Sequence, residues 1–270
     1  MKKFTVENET NLKDFTDGVY PQGSFCLAAL LREKDVKVNG VRVSKNINLH
    51  AGDEVLYYTT AKQESMPSHE KVFEDENIYI ADKFSGVSFE GLLCELSAKG
   101  EFYGVHRLDR NTQGLIVFAK NKCAEEELLD GFEKRLISKT YIALCKNCFK
   151  SKAESLTAYL VKDEKKGEVK IFRSSQPQGV TVKTDYKILE ERGDVALVEI
   201  ILHTGRTHQI RAHTAFIGCP VLGDTKYGDK ALNEKYGAKR QRLVAKYLKF
   251  NLDGKLAYLN SMKFESKFQL

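Results

Sequence analysis

His106-Arg107-Leu108-Asp109-Arg110-Asn111-Thr112-Gln113-Gly114-Leu115-Ile116-Val117-Phe118-Ala119 is the stretch that decides how this chain is read. A run dense in functional groups passes directly into an apolar strand. Each polar side chain set against a core must find a partner or stay wet, a costly arrangement for structure alone. Asp109 lies between Arg107 and Arg110, and a guanidinium within a few ångströms keeps a carboxylate ionised at neutral pH. Such a carboxylate, on a loop braced by a strand, suits nucleophilic or base work. A structural Arg–Asp pair satisfies the same pattern, so both readings stay open on the motif alone.

Outward from this stretch, Tyr141–Cys145, Val180–Leu189 and Val195–Leu202 read as further strands, while 125–134 and 207–217 (closed by Gly218 and Pro220) read as helices. Strands and helices do not alternate strictly. The expected class is therefore α+β with a mixed, largely antiparallel sheet rather than a doubly wound fold. Neither a G-x-G-x-x-G nor a P-loop is present, which argues against a nucleotide cofactor.

A second dense stretch, Leu202-His203-Thr204-Gly205-Arg206-Thr207-His208-Gln209-Ile210-Arg211-Ala212-His213, follows a strand, turns at Thr204-Gly205 and opens a helix near Thr207. A helix start of this kind favours anions, and Arg206 at the turn can reach a carboxylate. His208 and His213 stand five apart, so one helical face cannot present both to a metal. Cys145 and Cys148 form one C-x-x-C, but a zinc site needs two more ligands and no second pair exists, so no metal is expected. From Gly205 to Phe250 there are ten basic and three acidic residues, a balance of +7, with Tyr227, Tyr236 and Tyr247 among them. That pattern fits a surface that tracks a phosphate backbone and stacks on bases. Lys139-Thr140-Tyr141 opens a strand, where a tyrosine ordinarily packs in the core or at its rim.

Residues 62–70 are polar, contain Pro67 and lack an apolar period, which predicts a linker between a unit at 1–61 and one at 71–270. In the smaller unit, 25–32 reads as a helix and Val36–Val43 as a hairpin turning at Asn39-Gly40. A turn at Ala51-Gly52-Asp53 then leads to a strand at Glu54–Tyr58. Lys37, Arg42 and Lys45 belong to a local excess of five basic over two acidic residues between Arg32 and Lys45, which suits a phosphate backbone but from charge alone fits a solvated face slightly better. The whole chain, 270 residues with 42% hydrophobic content and a net charge of +6, is long enough for a core and only mildly basic. Its longest apolar run, Phe25–Leu31, is too short to span a bilayer. No signal segment is visible, and the six cysteines read as reduced thiols, so a cytoplasmic location is expected.

Together, His-Arg-Leu-Asp-x-x-Thr-x-Gly at 106–114, Lys-x-Tyr at 139–141, Thr-Gly-Arg-Thr-His-Gln-Ile-Arg-x-His at 204–213 and Leu-Gly-Asp-x-x-Tyr-Gly at 222–228 resemble the RluA-type pseudouridine synthases, which isomerise uridine in RNA. Residues 10–60 resemble an S4-type RNA-binding module. The resemblance implies a pseudouridine synthase catalytic domain over 71–270 and an RNA partner, ribosomal RNA rather than transfer RNA. It implies no cofactor and no membrane; the sequence is silent on oligomeric state, and a monomer is the default expectation. Asp109 would be the catalytic aspartate, Tyr141 the residue that packs on the target base and takes the ribose C2′ proton, and Arg206 the arginine paired with the aspartate. Arg107 and Arg110 would fill the space of an extruded base. Lys139, His208 and Arg211, with Lys37, Arg42 and Lys45, would contact RNA. The sequence departs from the family pattern at Gln113 (Ser is usual), at Lys83-Phe84-Ser85-Gly86 (Lys-Pro-x-Gly) and at Leu243-Val244-Ala245 (Leu-His-Ala). None of these touches the three inferred catalytic positions.

Overall fold

The computed structural model of the chain describes residues 1–19, 27, 29–64, 66–163 and 167–270. Alternating apolar residues build two principal sheets with separate cores. In the first, four antiparallel strands lie in the order Lys2–Thr5, Glu54–Tyr57, Val36–Val38, Val41–Val43. Asn39 (φ 49°) and Gly40 (φ 80°) make the expected two-residue hairpin turn. The helix Leu12–Val19 covers this sheet through Leu12 and Phe15. Of the helix expected at 25–32, residues 27 and 29–32 are helical, and 25, 26 and 28 lie outside the described residues. The strand Lys2–Thr5, polar at three of its four positions, offered no alternation to read.

The linker expectation needs correction at both ends. Thr60 and Gln63 cap each other, Thr60 N–H donating to Oε1 (2.8 Å) and Gln63 N–H to Oγ1 (3.2 Å), and so start a helical turn at Ala61–Glu64. His69 and Glu70 already belong to a strand, His69–Glu74, paired with Ile78–Lys83.

The second sheet has eleven strands among the described residues. Its order is Glu168–Phe172, Ala153–Asp163, Val180–Arg192, Val195–Leu202, Ile137–Lys146, Leu243–Phe250, Gln113–Ala119, Ile78–Lys83, His69–Glu74, with Tyr103–Gly104 and Phe264–Glu265 as side strands. Every pairing is antiparallel except that of Gln113–Ala119 with Leu243–Phe250. Period-2 alternation sends Ile116, Phe118 and Tyr141 into one apolar layer and Leu115, Val117 and Leu248 into the other. The helix Phe89–Ser97 covers the first layer through Leu92 and Leu96, and the helix Lys122–Glu133 covers the second through Ala124 and Leu128. The latter helix starts earlier than expected because Asn121 Oδ1 accepts the Ala124 N–H (2.9 Å). No helix among the described residues is long and apolar enough to cross a membrane.

Two irregularities of the central strands shape the site. Gly114 has φ +115°, and a Cβ there would stand 2.4 Å from the Ala245 carbonyl oxygen, so only glycine permits this close approach. Thr140 pairs with Tyr247 but Tyr141 with Ala245, leaving Lys246 as the extra residue of a bulge directly opposite Tyr141. Bulges of this kind re-aim neighbouring side chains.

Candidate active site

Where the loop before Gln113–Ala119, the strand Ile137–Lys146 and the turn after Val195–Leu202 converge, a cavity of about 490 Å³ opens. Asp109, Lys139, Tyr141 and Arg206 all line it, so the structure gathers residues the sequence sets nearly a hundred positions apart.

Asp109 sits at the end of a tightly specified loop. Thr112 N–H donates to the Asp109 carbonyl (3.1 Å), and Gln241 Nε2 donates to Thr112 Oγ1 (2.9 Å). The Arg110 carbonyl accepts from Gly86 N–H (2.8 Å) and from Lys83 Nζ (3.1 Å). Lys83 is fully buried and donates also to the carbonyls of Val87 (2.8 Å) and Phe84 (3.1 Å). Burial, more than the neighbouring charges, brings its pKa down to about 7.

The guanidinium on Asp109 is that of Arg211, not Arg206, Arg107 or Arg110. Arg211 Nη1 donates to Asp109 Oδ2 (3.0 Å), while its Nε and Nη2 donate to Asp224 Oδ2 (2.6 Å) and Oδ1 (3.0 Å). Asp224 Oδ1 also accepts the N–H groups of Lys226 (2.8 Å) and Tyr227 (3.1 Å). Burial works against both charges, but the bidentate bond outweighs it. Arg211 ends above its ordinary pKa and Asp224 below. The resemblance-based pairing of Arg206 with Asp109 is therefore corrected. Arg206 lies at the turn, its N–H bonded to Gln209 Oε1 (3.1 Å), whereas Arg211 projects inward from the helix Gln209–Phe216. Arg211, 7% exposed, is likewise no surface contact for RNA. A signal for it existed: Asp224, in the otherwise apolar Val221-Leu222-Gly223 run, requires a cation.

The other expected residues fall out as follows. Arg110 reaches away from the cavity to Asp17 of the helix Leu12–Val19, donating from Nη1 to Oδ1 (2.8 Å) and from Nη2 to Oδ2, so it does not stand in for an extruded base. Arg107 lines the cavity, lies against the Phe89 ring and pairs with Glu90 (3.1 Å). The helix expected from Thr207 begins at Gln209, because His208 takes a left-handed φ of 54°. Val169 N–H donates to the Tyr227 hydroxyl (2.9 Å), that hydroxyl lies 2.9 Å from His208 Nδ1, and His208 Nε2 faces Asp109 at 4.0 Å. Burial lowers the His208 pKa and favours the neutral ring, the charge of Asp109 opposing that only in part. Tyr227 is thus spent inside the site, while Tyr236 and Tyr247 stay exposed. The Lys139 ammonium lies 4.9 Å from the Phe132 ring centroid, and burial lowers its pKa. Lys37 and Arg42 lie over the Tyr58 ring of the small sheet, 5.5 and 5.4 Å from its centroid, and Arg42 also donates to the Lys34 carbonyl (2.6 Å). Lys45 is exposed.

Tyr141 is buried, and burial first, then the Asp109 charge, raises its pKa, so the phenol stays protonated. His106 accepts the Val117 N–H at Nε2 (3.0 Å) and is kept neutral by burial. Its Nδ1 is buried without a partner among the described residues. His203 pairs with Asp185 (2.5 Å) and His213 Nδ1 meets Thr184 Oγ1 (3.0 Å), so the three histidines of the second stretch serve three different partners.

The chain matches the human RNA pseudouridylate synthase domain containing 1 with a TM-score of 0.60 and 26% identity, over 73% of this chain and 81% of that one. The human domain containing 4 matches at 0.56 and 25%, over 66% and 82%. The family model described as RNA pseudouridylate synthase matches residues 57–216. Ribosomal large subunit pseudouridine synthase C of Escherichia coli K12 is 32% identical over 254 residues (83% of this chain, 79% of the relative), and that of Vibrio cholerae is 31% identical over 250 (82% and 78%). The chain belongs to the RNA pseudouridylate synthase family.

Proposed function

We propose that this pseudouridine synthase isomerises a uridine in structured RNA, large-subunit ribosomal RNA in preference to transfer RNA, with Asp109 as the nucleophile and no cofactor. The reaction breaks the C1′–N1 bond and remakes it as C1′–C5 with the same uracil. It needs neither an electron carrier nor a phosphoryl donor, and the uracil anion leaves without strong acid. One carboxylate then suffices, provided water is kept from the sugar. The observation that carries this reading is Asp109, held by Arg211 inside a cavity whose 490 Å³ falls within the ~300–1,000 Å³ typical of small-molecule sites. Extruding the nucleotide costs a few kcal/mol, which packing on Tyr141 offsets at ~1–3 kcal/mol.

A phenol held protonated is not a resting base. In this reading Tyr141 acts as the surface on which the base packs and does not take the C2′ proton. Arg206 and Arg107 serve at the cavity mouth. Residues 1–61 act as an S4-like RNA-binding module through Lys37, Arg42 and Lys45, ahead of a catalytic unit at 71–270, in a cytoplasmic monomer. The ribosomal preference rests on the names of the two bacterial relatives.

The test uses ribosomal RNA transcripts labelled with tritium at uridine C5, since that hydrogen is lost when C5 bonds to the sugar. Wild-type protein should release tritium. Asp109→Asn should release none while binding the transcript with unchanged affinity. Release by the variant at the wild-type rate overturns the assignment.

A further inference from the structure

We propose that Arg135, together with Lys139 and Arg206, forms an anion subsite at the cavity rim that grips a phosphodiester of the RNA strand beside the extruded nucleotide. The inference rests on the reading above and adds a residue that sequence reasoning did not single out.

The helix Lys122–Glu133 ends in a Schellman motif: Leu136 N–H donates to the Gly131 carbonyl (2.8 Å) and Arg135 N–H to that of Phe132 (3.3 Å). Arg135 occupies the left-handed position of that motif, with φ 62°. Glycine is ordinarily favoured there, because a Cβ strains the backbone. Strain of this sort persists where the side chain is needed. The Arg135 side chain borders the same cavity as Asp109.

Lys139 supplies the second observation. It is half-buried, its ammonium lies over the Phe132 ring, and a Cβ on Gly205 would meet Nζ at 3.3 Å, which places the cation against the turn that carries Arg206. A cation so desolvated favours an anionic partner. Yet among the described residues neither Lys139 nor the side chains of Arg135 and Arg206 hydrogen-bond to or pair with an acceptor. Arg107 and Arg211, the other cations on the cavity, are committed to Glu90 and to Asp109 with Asp224. Five Lys and Arg side chains border the opening against two carboxylates, Asp109 and Glu133. An RNA phosphate is the anion that a pocket for an RNA nucleotide necessarily meets, and a planar guanidinium beside an ammonium suits its oxygens.

Arg135→Gly is the discriminating variant, because glycine relieves the backbone at that position. Its thermal midpoint should match or exceed that of the wild type. On the labelled ribosomal transcript its dissociation constant should rise about tenfold, and the slope of log affinity against log salt should fall by about one. Lys139→Met should lower the slope by a similar amount, and the double variant by about two. Lys71→Ala, exposed on the edge strand His69–Glu74 and outside the cavity lining, should change neither quantity. A folded Arg135→Gly protein with unaltered affinity and salt slope overturns the subsite, and tritium release by wild type in the same preparation shows that the isomerase reading survives. No release by wild type, with the slope still reduced by Arg135→Gly, sinks the isomerase reading and leaves the anion subsite standing. Absence of salt-dependent binding by wild type overturns both.

Discussion

Replacing Arg211 with Met, and Arg206 with Met in parallel, separates the two arginines by their effect on stability. Arg211 is 7% exposed, and the Asp224 side chain it clasps has no exposure at all. Removing one partner of a buried pair costs about 3–5 kcal/mol, because the remaining charge is left uncompensated. The Lys226 and Tyr227 N–H groups remain on Asp224 and set the expectation near the lower end, about 3 kcal/mol. For a chain of this size roughly 2–4 °C accompanies each kcal/mol, so the midpoint should fall by about 6–12 °C. Arg206→Met, at an exposed side chain with no partner among the described residues, should stay within about 0.5 kcal/mol of wild type. Arg211→Lys should lie between, since one ammonium reaches one of the two carboxylates but cannot reproduce the fork. The assay is thermal unfolding followed by circular dichroism. Equal shifts for the two Met variants, or a larger one for Arg206, would refute the assignment of the buried ion network. The network also has a pH signature. The Asp224 pKa is lower in the fold than its ordinary 3.8, so its contribution is present above that value and is lost as pH falls through the folded one. Asp224→Asn should flatten stability against pH in that acid range.

Lys83 predicts a second rise with pH, in the neutral to alkaline range. Its folded pKa is about 7 against an ordinary 10.5, so between those values the unfolded chain binds more protons and stability rises with pH. Urea unfolding at pH 7 and pH 9.5 should show that rise, and Lys83→Met should lessen it. Asp17→Asn leaves Arg110 without its carboxylate beside the Asp109 loop and should cost roughly 1–3 kcal/mol. The charge-reversed pair Asp17→Arg with Arg110→Asp should recover part of the loss in a double-mutant cycle. Gly114→Ala should lower the urea midpoint by the equivalent of about 1–3 kcal/mol, since the new methyl meets the Ala245 carbonyl and the backbone there is left-handed.

What the sequence disclosed follows how local each signal is. Val195–Leu202 occupies the expected range, and Asn39-Gly40 turns the hairpin it announces, because side-chain alternation and turn chemistry act over a few residues. The long strands Ala153–Asp163 and Val180–Arg192 are solvated along one face, and their polar ends hide in composition that reads as loop. In the site, Asp109 stands out because it belongs to a short dense motif, whereas Tyr141 is singled out only by the resemblance, its strand start reading otherwise as ordinary packing. The partner of Asp109 does not, because pairing depends on which of two arginines the helix turns inward, and the left-handed His208 delays the helix start. Lys83 was visible only as a motif letter, and of its three carbonyl acceptors Phe84 and Val87 are local while Arg110 is brought to it by the tertiary fold. Arg135 gave no signal, since an arginine after a helix is ordinary until its φ is known.

The strand Leu243–Phe250 lies between Ile137–Lys146 and Gln113–Ala119, yet it is translated more than a hundred residues after the latter. Until it arrives, the apolar stretch that follows the Asp109 loop presents one raw edge, a template for mispairing with other chains. A nascent polypeptide halted at residue 240 therefore carries Asp109, Tyr141, Arg211 and Asp224 but no chamber to hold them in register. Competence should arrive abruptly, with the insertion of one late segment, rather than accumulate as synthesis proceeds.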